Sequence, residues 1–166
     1  MSASGPLLLE HTMPTIRPAT PDDIPDLIAL IAALARHHDD EASVTTATLT
    51  RDAFGANRFL HILIAESAGQ PVGYAALLSL ARLQYGQRGM DLHHLFVTDR
   101  CRGQGIGKQL LQAALNFSRD LDASYVVVGT HPENRKAQDF YLKCGFVGRN
   151  HAVPGFSYDL TKDGVM

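Results

Sequence analysis

The sequence predicts an α/β protein with one mixed β-sheet and helices on both of its faces. The first observation is the order of the predicted elements: a strand, two helices, three strands, a helix, a strand, and a helix followed by a short hairpin. Such alternation is typical of helices that cover a sheet. The second observation is size, because 166 residues, of which 45% are hydrophobic, are enough for one domain with its own core.

Composition excludes several classes of protein. The formal net charge of -2 gives no basic surface for nucleic acid, and no apolar run approaches the length of a membrane span. Two cysteines indicate a reducing compartment rather than a disulfide-bonded scaffold. Residues 1–13 carry no signal-peptide pattern. We therefore expect a flexible extension over 1–13, with Met13 as an alternative start to Met1, one domain over 14–166, and a cytoplasmic protein.

Start signals define the first helix. Thr20 can cap it, Pro21 occupies its first position, and Asp23 lies three residues after the cap. Apolar residues then recur at helical spacing as far as Ala35. The other elements predicted in this half are a strand over 15–19, a helix over 46–55 that ends at a glycine, and strands over 58–67 and 71–81 around a short turn.

The second half contains a continuous β-branched run over 124–130. Such a run predicts a central strand that is covered on both sides. The remaining predicted elements are a strand over 90–97, a helix from the following glycines to about Arg119, a helix over 133–146 closed by Gly145, and a last hairpin formed by 146–149 and 155–160.

The segment VTDRCRGQGIGKQLL, residues 97–111, places three glycines in five positions between a strand and a helix. Glycine costs roughly 0.5–1 kcal/mol relative to alanine within a helix, so we expect something to approach this backbone closely. Free N–H groups and the helix dipole attract an anion there. On spacing alone, a tight turn without a ligand is the alternative. Neither a Walker A loop nor the G-x-G-x-x-G dinucleotide fingerprint fits the spacing.

A third pattern fits. Residues 102–107, RGQGIG, match the R/Q-x-x-G-x-G/A loop of the GNAT family of N-acetyltransferases, and NRKAQDFYLKCGF over 134–146 resembles that family's second signature. The two motifs stand in the family's order, with a strand-like run between them. The resemblance covers about 14–160 and implies the GNAT fold, a single mixed, mostly antiparallel sheet of six to seven strands. More weakly, the chain resembles the spermidine/spermine and thialysine branch, which implies a homodimer that acts on small amines.

The resemblance also implies acetyl-CoA as the acetyl donor. The N–H groups of the glycine loop would hold its pyrophosphate, and the strand before the loop and part of the second motif would hold its pantetheine arm. The residues so assigned are Leu95, Phe96, Val97, Arg102, Gly103, Gln104, Gly105, Ile106, Gly107, Lys108, Asn134 and Ala137.

Acetylation of an amine needs an uncharged amine, donors for the oxyanion and a proton for the leaving thiolate. Tyr141 matches the family's general acid for the thiolate. Its spacing with Ala137 and Phe140 is also that of an ordinary core residue with a satisfied hydroxyl. The resemblance favours the catalytic interpretation.

The candidates for the catalytic base lie in the predicted strand MDLHHLFV, residues 90–97. Alternation places Asp91 and His93 on one face and His94 on the other. Polyamine-type enzymes carry a glutamate where His93 stands. An imidazole can take up a proton near neutral pH, but it binds a cationic amine less well than a carboxylate does. We predict His93 as the base, with Asp91, a bound water or a purely structural histidine as the alternatives.

The predicted reaction is direct transfer of acetyl to a primary amine of a small molecule, without a metal, nucleic acid or membrane. The adjacent histidines at 37–38 lack partners at metal-ligand spacing. The acidic residues 39–41 border the acceptor cleft of this fold and could attract a cationic amine. Two alternatives are an N-terminal acetyltransferase for proteins or peptides, and a CoA-binding sensor or interaction module without catalysis.

Overall fold

The computed structural model describes residues 13–149. The chain divides into two compact units, Met1–Gly129 and Thr130–Met166, and each is described by itself below. The single domain expected over 14–166 stays a prediction.

The first unit contains a five-stranded sheet in the order β1-β2-β3-β4-β5. The first three pairs are antiparallel, and β4 and β5 are parallel. Five strands in the described chain correct the expected six to seven, because 146–149 is not a strand and 155–160 lies outside the described residues. The strands are β1 Thr15–Pro18, β2 Leu60–Ser67, β3 Gln70–Arg82, β4 Gln87–Val97 and β5 Ala123–Val127.

The helices begin where local signals place them. The Thr20 N–H donates to Asp23 Oδ2 at 2.7 Å before the first helical turn, Pro21–Asp23, so the predicted capping pair is confirmed. The helices are α1 Ile24–His37, α2 Thr46–Leu49 with a wider turn Thr50–Phe54 after it, α3 Ile106–Asp120, and in the second unit α4 Arg135–Lys143.

Helices cover both faces of the sheet in the first unit, as predicted. Even-numbered residues of β2 and β3, such as Ile64 and Tyr74, pack with α1 and α2 in one buried cluster. Odd-numbered residues face α3: the His61 ring lies 5.3 Å from the Phe117 ring, and Gly73 contacts Leu110. We call these two sides the α1 face and the α3 face.

Strand β5 pairs along its whole length, but only with the first part of β4. The register runs from Arg88–Ala123 to Asp91–Val127 and goes no further. Within residues 13–149, β4 from Leu92 to Val97 therefore has no strand partner on its β5 side. The central position predicted for β5 is wrong for the described chain, because β5 is the last strand in the order. Its β-branched residues are only half-buried.

A β-bulge interrupts β4 just after Asp91, the last residue that pairs with β5. Ala76 of β3 pairs with His94, but the next residue, Leu77, pairs with Leu92. His93 is therefore an extra residue in β4. In β3 the even-numbered residues stay on the α1 face through this point. In β4 the residues on the α1 face are therefore odd-numbered before His93 and even-numbered after it.

Candidate active site

The glycine segment forms an open loop at the start of α3. Gly103 and Gly105 have φ of 75° and 81°, in the left-handed region that favours glycine, and a Cβ added to either would meet nothing within 4 Å. Gly105 stands at the helix N-cap without a side-chain cap. Among residues 13–149, the N–H groups of 103–108 have no protein acceptor. These N–H groups are available as donors to an anion at the start of α3.

A cavity of about 540 Å³ lies beside the end of β4, within the size range of small-molecule sites. Arg36 and His37 of α1 line one part of it, and Phe96, Thr98 and Arg100 line another. The hydroxyl oxygen of Thr98 is buried and has no hydrogen-bond partner in the described chain. A buried hydroxyl is normally satisfied, and this one lies in the lining of the cavity.

Arg102 connects the loop to β4. Its Nε donates to the Val97 carbonyl at 3.0 Å, its Nη2 lies 2.9 Å from Asp99 Oδ1, and its guanidinium stands over the Phe96 ring at 5.6 Å. The Val97 carbonyl, which the sequence assigned to the pantetheine arm, is thus already engaged. Phe96 itself is buried in the core cluster on the α1 face, and Ile106 is buried at the start of α3.

Asp91 and His93 come together as predicted. His93 Nδ1 lies 3.6 Å from Asp91 Oδ2, and the two side chains are 53% and 28% exposed, so solvent or a substrate can reach both. The prediction for His94 is wrong, since its ring stacks on that of His93 with centroids 4.7 Å apart. The bulge at His93 breaks the alternation on which that prediction rested.

His94 is a site residue that the sequence reasoning missed. Its Nδ1 lies 2.8 Å from the hydroxyl of Tyr74, a fully buried residue. The phenol has no other acceptor in the described chain, so we assign it as the donor. Burial lowers the pKa of His94 to about 4, and His93 and His38 add to the effect. His94 therefore presents an uncharged ring to His93. The adjacent histidines were the only signal in the sequence.

Tyr141 belongs to the second unit, in α4. Its ring packs against Phe140 and Phe146 with centroid distances of 5.2 and 5.5 Å. Burial raises its pKa to about 12, with Cys144 as a smaller cause. The phenol therefore keeps its proton at neutral pH, which a general acid requires.

Asn134 caps α4. Its Oδ1 accepts the Ala137 N–H at 3.1 Å, which is the N-cap interaction expected of asparagine. Its Nδ2 group stays available as a donor. The second motif thus has a local structural role in addition to any contact with a cofactor.

These features fit acetyl-CoA chemically. A pyrophosphate needs several N–H donors at a helix N-terminus, which the loop offers. An extended amide-containing arm needs a free strand edge, and β4 has one from Leu92 to Phe96, before the Val97 carbonyl that Arg102 engages. The unpaired Thr98 hydroxyl and the cavity lie at the same end of that strand.

Comparisons with known proteins agree with this arrangement. The model of the acetyltransferase (GNAT) family matches residues 27–146. A thialysine N-epsilon-acetyltransferase of Sus scrofa is 29% identical over 140 residues, 78% of this chain and 82% of the relative. An N-acetyltransferase 8B of Rattus norvegicus is 32% identical over 123 residues, which cover 74% of this chain and 53% of the relative.

Solved structures support the fold. An aminoglycoside acetyltransferase from an uncultured soil metagenomic sample superposes with a TM-score of 0.75 at 21% identity, over 89% of this chain and 96% of its own. None of the helices in the described part of the chain is long and apolar enough to span a membrane. The motifs, the sheet and the family match lead to one conclusion: the chain belongs to the GNAT family and is an N-acetyltransferase.

Proposed function

We propose that this enzyme transfers acetyl from acetyl-CoA directly to a primary amine of a small molecule. The observation that carries the proposal is the open loop of unsatisfied N–H groups at 103–108, at the end of a strand whose free edge begins beside His93. The relative named for thialysine and the structure named for aminoglycosides support an acceptor of small-molecule type. The proposal includes a homodimer, as the resemblance implies, and a cytoplasmic location, as the sequence analysis expects.

Each residue has a defined task in this proposal. The N–H groups of 103–108 bind the pyrophosphate, and main-chain groups of Leu95 and the neighbouring edge hold the pantetheine arm. His93, steadied by Asp91 at 3.6 Å, accepts the proton that the amine loses on attack. Tyr141 gives its proton to the departing thiolate. Acetyl-CoA supplies the activated thioester, so no covalent enzyme intermediate is required.

The test is a panel of amines with detection of released thiol. We expect purified enzyme with acetyl-CoA to release thiol in the presence of at least one small primary amine, with product mass increased by one acetyl group. The panel includes aminoglycosides, diamines, amino acids and short peptides. Release only with peptides, through their N-terminal amines, would favour the alternative acceptor. No release with any amine would contradict the proposal.

A further inference from the structure

Arg82 and Tyr125 form a stack on the α1 face of the sheet, beyond the part that α1 and α2 cover. The Arg82 guanidinium lies 4.0 Å from the centroid of the Tyr125 ring. The ring lies over Gly89, where an added Cβ would overlap its Cζ, Cε1 and Cε2 atoms. Glycine at position 89 is thus what allows the ring to lie against the strand, and the ring in turn holds the guanidinium.

Arg82 has no carboxylate partner within residues 13–149. Four arginines, at 17, 51, 88 and 102, each lie within 4.0 Å of a carboxylate. The other arginines of the described residues, at 36, 58, 100, 119, 135 and 149, have no such partner either, but of those without one Arg82 is the one that lies over an aromatic ring. Arg82 is half-buried, and its guanidinium is oriented by the ring instead. A half-buried arginine whose guanidinium is held in one orientation, with N–H groups free to donate, is suited to a bidentate contact with an oxyanion.

The stack lies on the same face as the predicted base. Leu80 pairs with Gly89 and Leu78 with Asp91, so Gly89 and Asp91 share the face, and Tyr125 pairs with Gly89 from β5. Two residues along a strand correspond to roughly 7 Å. The side chain of an extended lysine-like amine spans such a distance.

We propose that Arg82 binds a carboxylate of the acceptor while the acceptor's amine lies at Asp91 and His93. This inference rests on the proposed function and names the substrate class: a small amine that also carries a carboxylate, as in a basic amino acid. A carboxylate pairs with the guanidinium, whereas the second ammonium group of a diamine is repelled by it. The same arrangement selects against polyamines.

The experiment compares L-lysine with L-lysinamide, which keeps both amines and loses only the carboxylate charge. We expect wild-type enzyme to show the higher kcat/KM with lysine. Arg82→Gln lowers kcat/KM for lysine by roughly ten- to a hundredfold, mainly through a higher KM. It leaves kcat/KM for lysinamide within about twofold of the wild-type value. Arg82→Lys restores part of the loss. Cadaverine, a diamine without a carboxylate, improves as a substrate of Arg82→Gln.

Arg88→Gln is the matched control. Arg88 pairs with Ala81, so it lies on the opposite face of the same hairpin, and it stands near Asp122. For Arg88→Gln, we expect the ratio of kcat/KM with lysine to kcat/KM with lysinamide to equal that of wild type. Gly89→Ala displaces the Tyr125 ring and is expected to reduce the ratio as Arg82→Gln does, whereas Tyr125→Phe keeps the stack and the ratio.

The outcomes separate this inference from the proposed function. Thiol release with both probes, at a ratio that Arg82→Gln leaves unchanged, would overturn the inference alone. Absence of release with these probes and with the whole amine panel would overturn the proposed function and the inference with it.

Discussion

The phenol of Tyr141 is protonated at neutral pH because burial raises its pKa to about 12. Tyr141→Phe removes the hydroxyl and little volume. We expect turnover to fall by roughly 10²–10⁴-fold, with the affinity for CoA largely kept. Tyr85→Phe, at an exposed tyrosine, is the control and should be neutral. Steady-state rates measure turnover, and CoA titration measures the affinity. Unchanged turnover in Tyr141→Phe would show that this residue has only a packing role.

His93 is expected to produce a rising limb in the pH profile of kcat/KM. The groups around it are Asp91 at 3.6 Å, His94 stacked on its ring, and His38, which acts on His94. Because the pKa of His94 is held near 4, that ring contributes no step between pH 5 and 8. His93→Ala should remove the limb and slow acetylation of an amine that is still protonated.

Profiles for wild type, His93→Ala and Tyr74→Phe, measured with the best amine of the panel, test this prediction. Tyr74→Phe removes the hydroxyl that bonds to His94 and leaves His93 in place. The rising limb of the pH profile should therefore persist in this variant. A limb that survives in His93→Ala would transfer the role of base to Asp91 or to a bound water.

At the residue level, the sequence predicted pairings that depend on spacing along one strand or one helix. The pairing of Asp91 with His93 is of this kind. The Tyr74–His94 bond and the Arg82–Tyr125 stack join different strands. Their existence depends on register, and no local pattern fixes a register.

Among the elements, the loop before α3 carries the most direct prediction. With acetyl-CoA at one hundred times its dissociation constant, ligand linkage adds about 2.7 kcal/mol to the free energy of unfolding. For a chain of this size that raises Tm by roughly 5–11 °C. Gly105→Val should abolish the rise, because its Cβ and methyl groups occupy the open space at φ 81°.

Gly69→Val is the control for backbone strain. Gly69 has φ of 72° with no atom within 4 Å of an added Cβ, but it lies in the turn between β2 and β3. We expect both variants to be destabilised without ligand and only Gly69→Val to keep the thermal shift. A normal shift in Gly105→Val would contradict the assignment of the loop to the cofactor.

The sequence predicted the helices better than the sheet. Helix ends follow from signals within a few residues, such as Thr20 with Asp23 before the first helix and Gly145, with φ of 90°, after α4. The position of β5 depends on which strands border it. Its hydrophobic run is compatible with either a central or a terminal strand, and the described chain places it last.

For the whole molecule, an ion-pair group joins the first helical turn to strands β1 and β2 of the sheet. Arg17 of β1 donates to both carboxylate oxygens of Asp23 at 2.7 and 2.8 Å and to Glu66 of β2 at 2.6 Å. The hydrogen bonds from Arg17 lower the pKa of Asp23 to about 2. The carboxylate is mostly buried, so this shift contributes about 2 kcal/mol to stability.

The sign of the pH dependence follows from a lowered pKa in the folded state. The contribution is complete above the unfolded pKa of about 3.9 and disappears as the pH falls towards 2. Asp23→Asn should therefore lower the free energy of unfolding by about 2 kcal/mol at pH 7 and by much less near pH 2. Urea unfolding at several pH values measures this. Asp22→Asn, at the exposed neighbour, should show no such difference.

The extra residue at His93 also matters for anyone who redesigns this enzyme. Upstream of it, the positions of β4 on the α1 face are odd-numbered, as Gly89 and Asp91 are, and downstream they are even-numbered, as His94 and Phe96 are. A mutant library that follows simple alternation along 87–97 would randomise core positions in one half of the strand. Deleting one residue at the bulge would exchange the two faces upstream, so an alignment that places a gap there exchanges positions on the α1 face with positions on the α3 face.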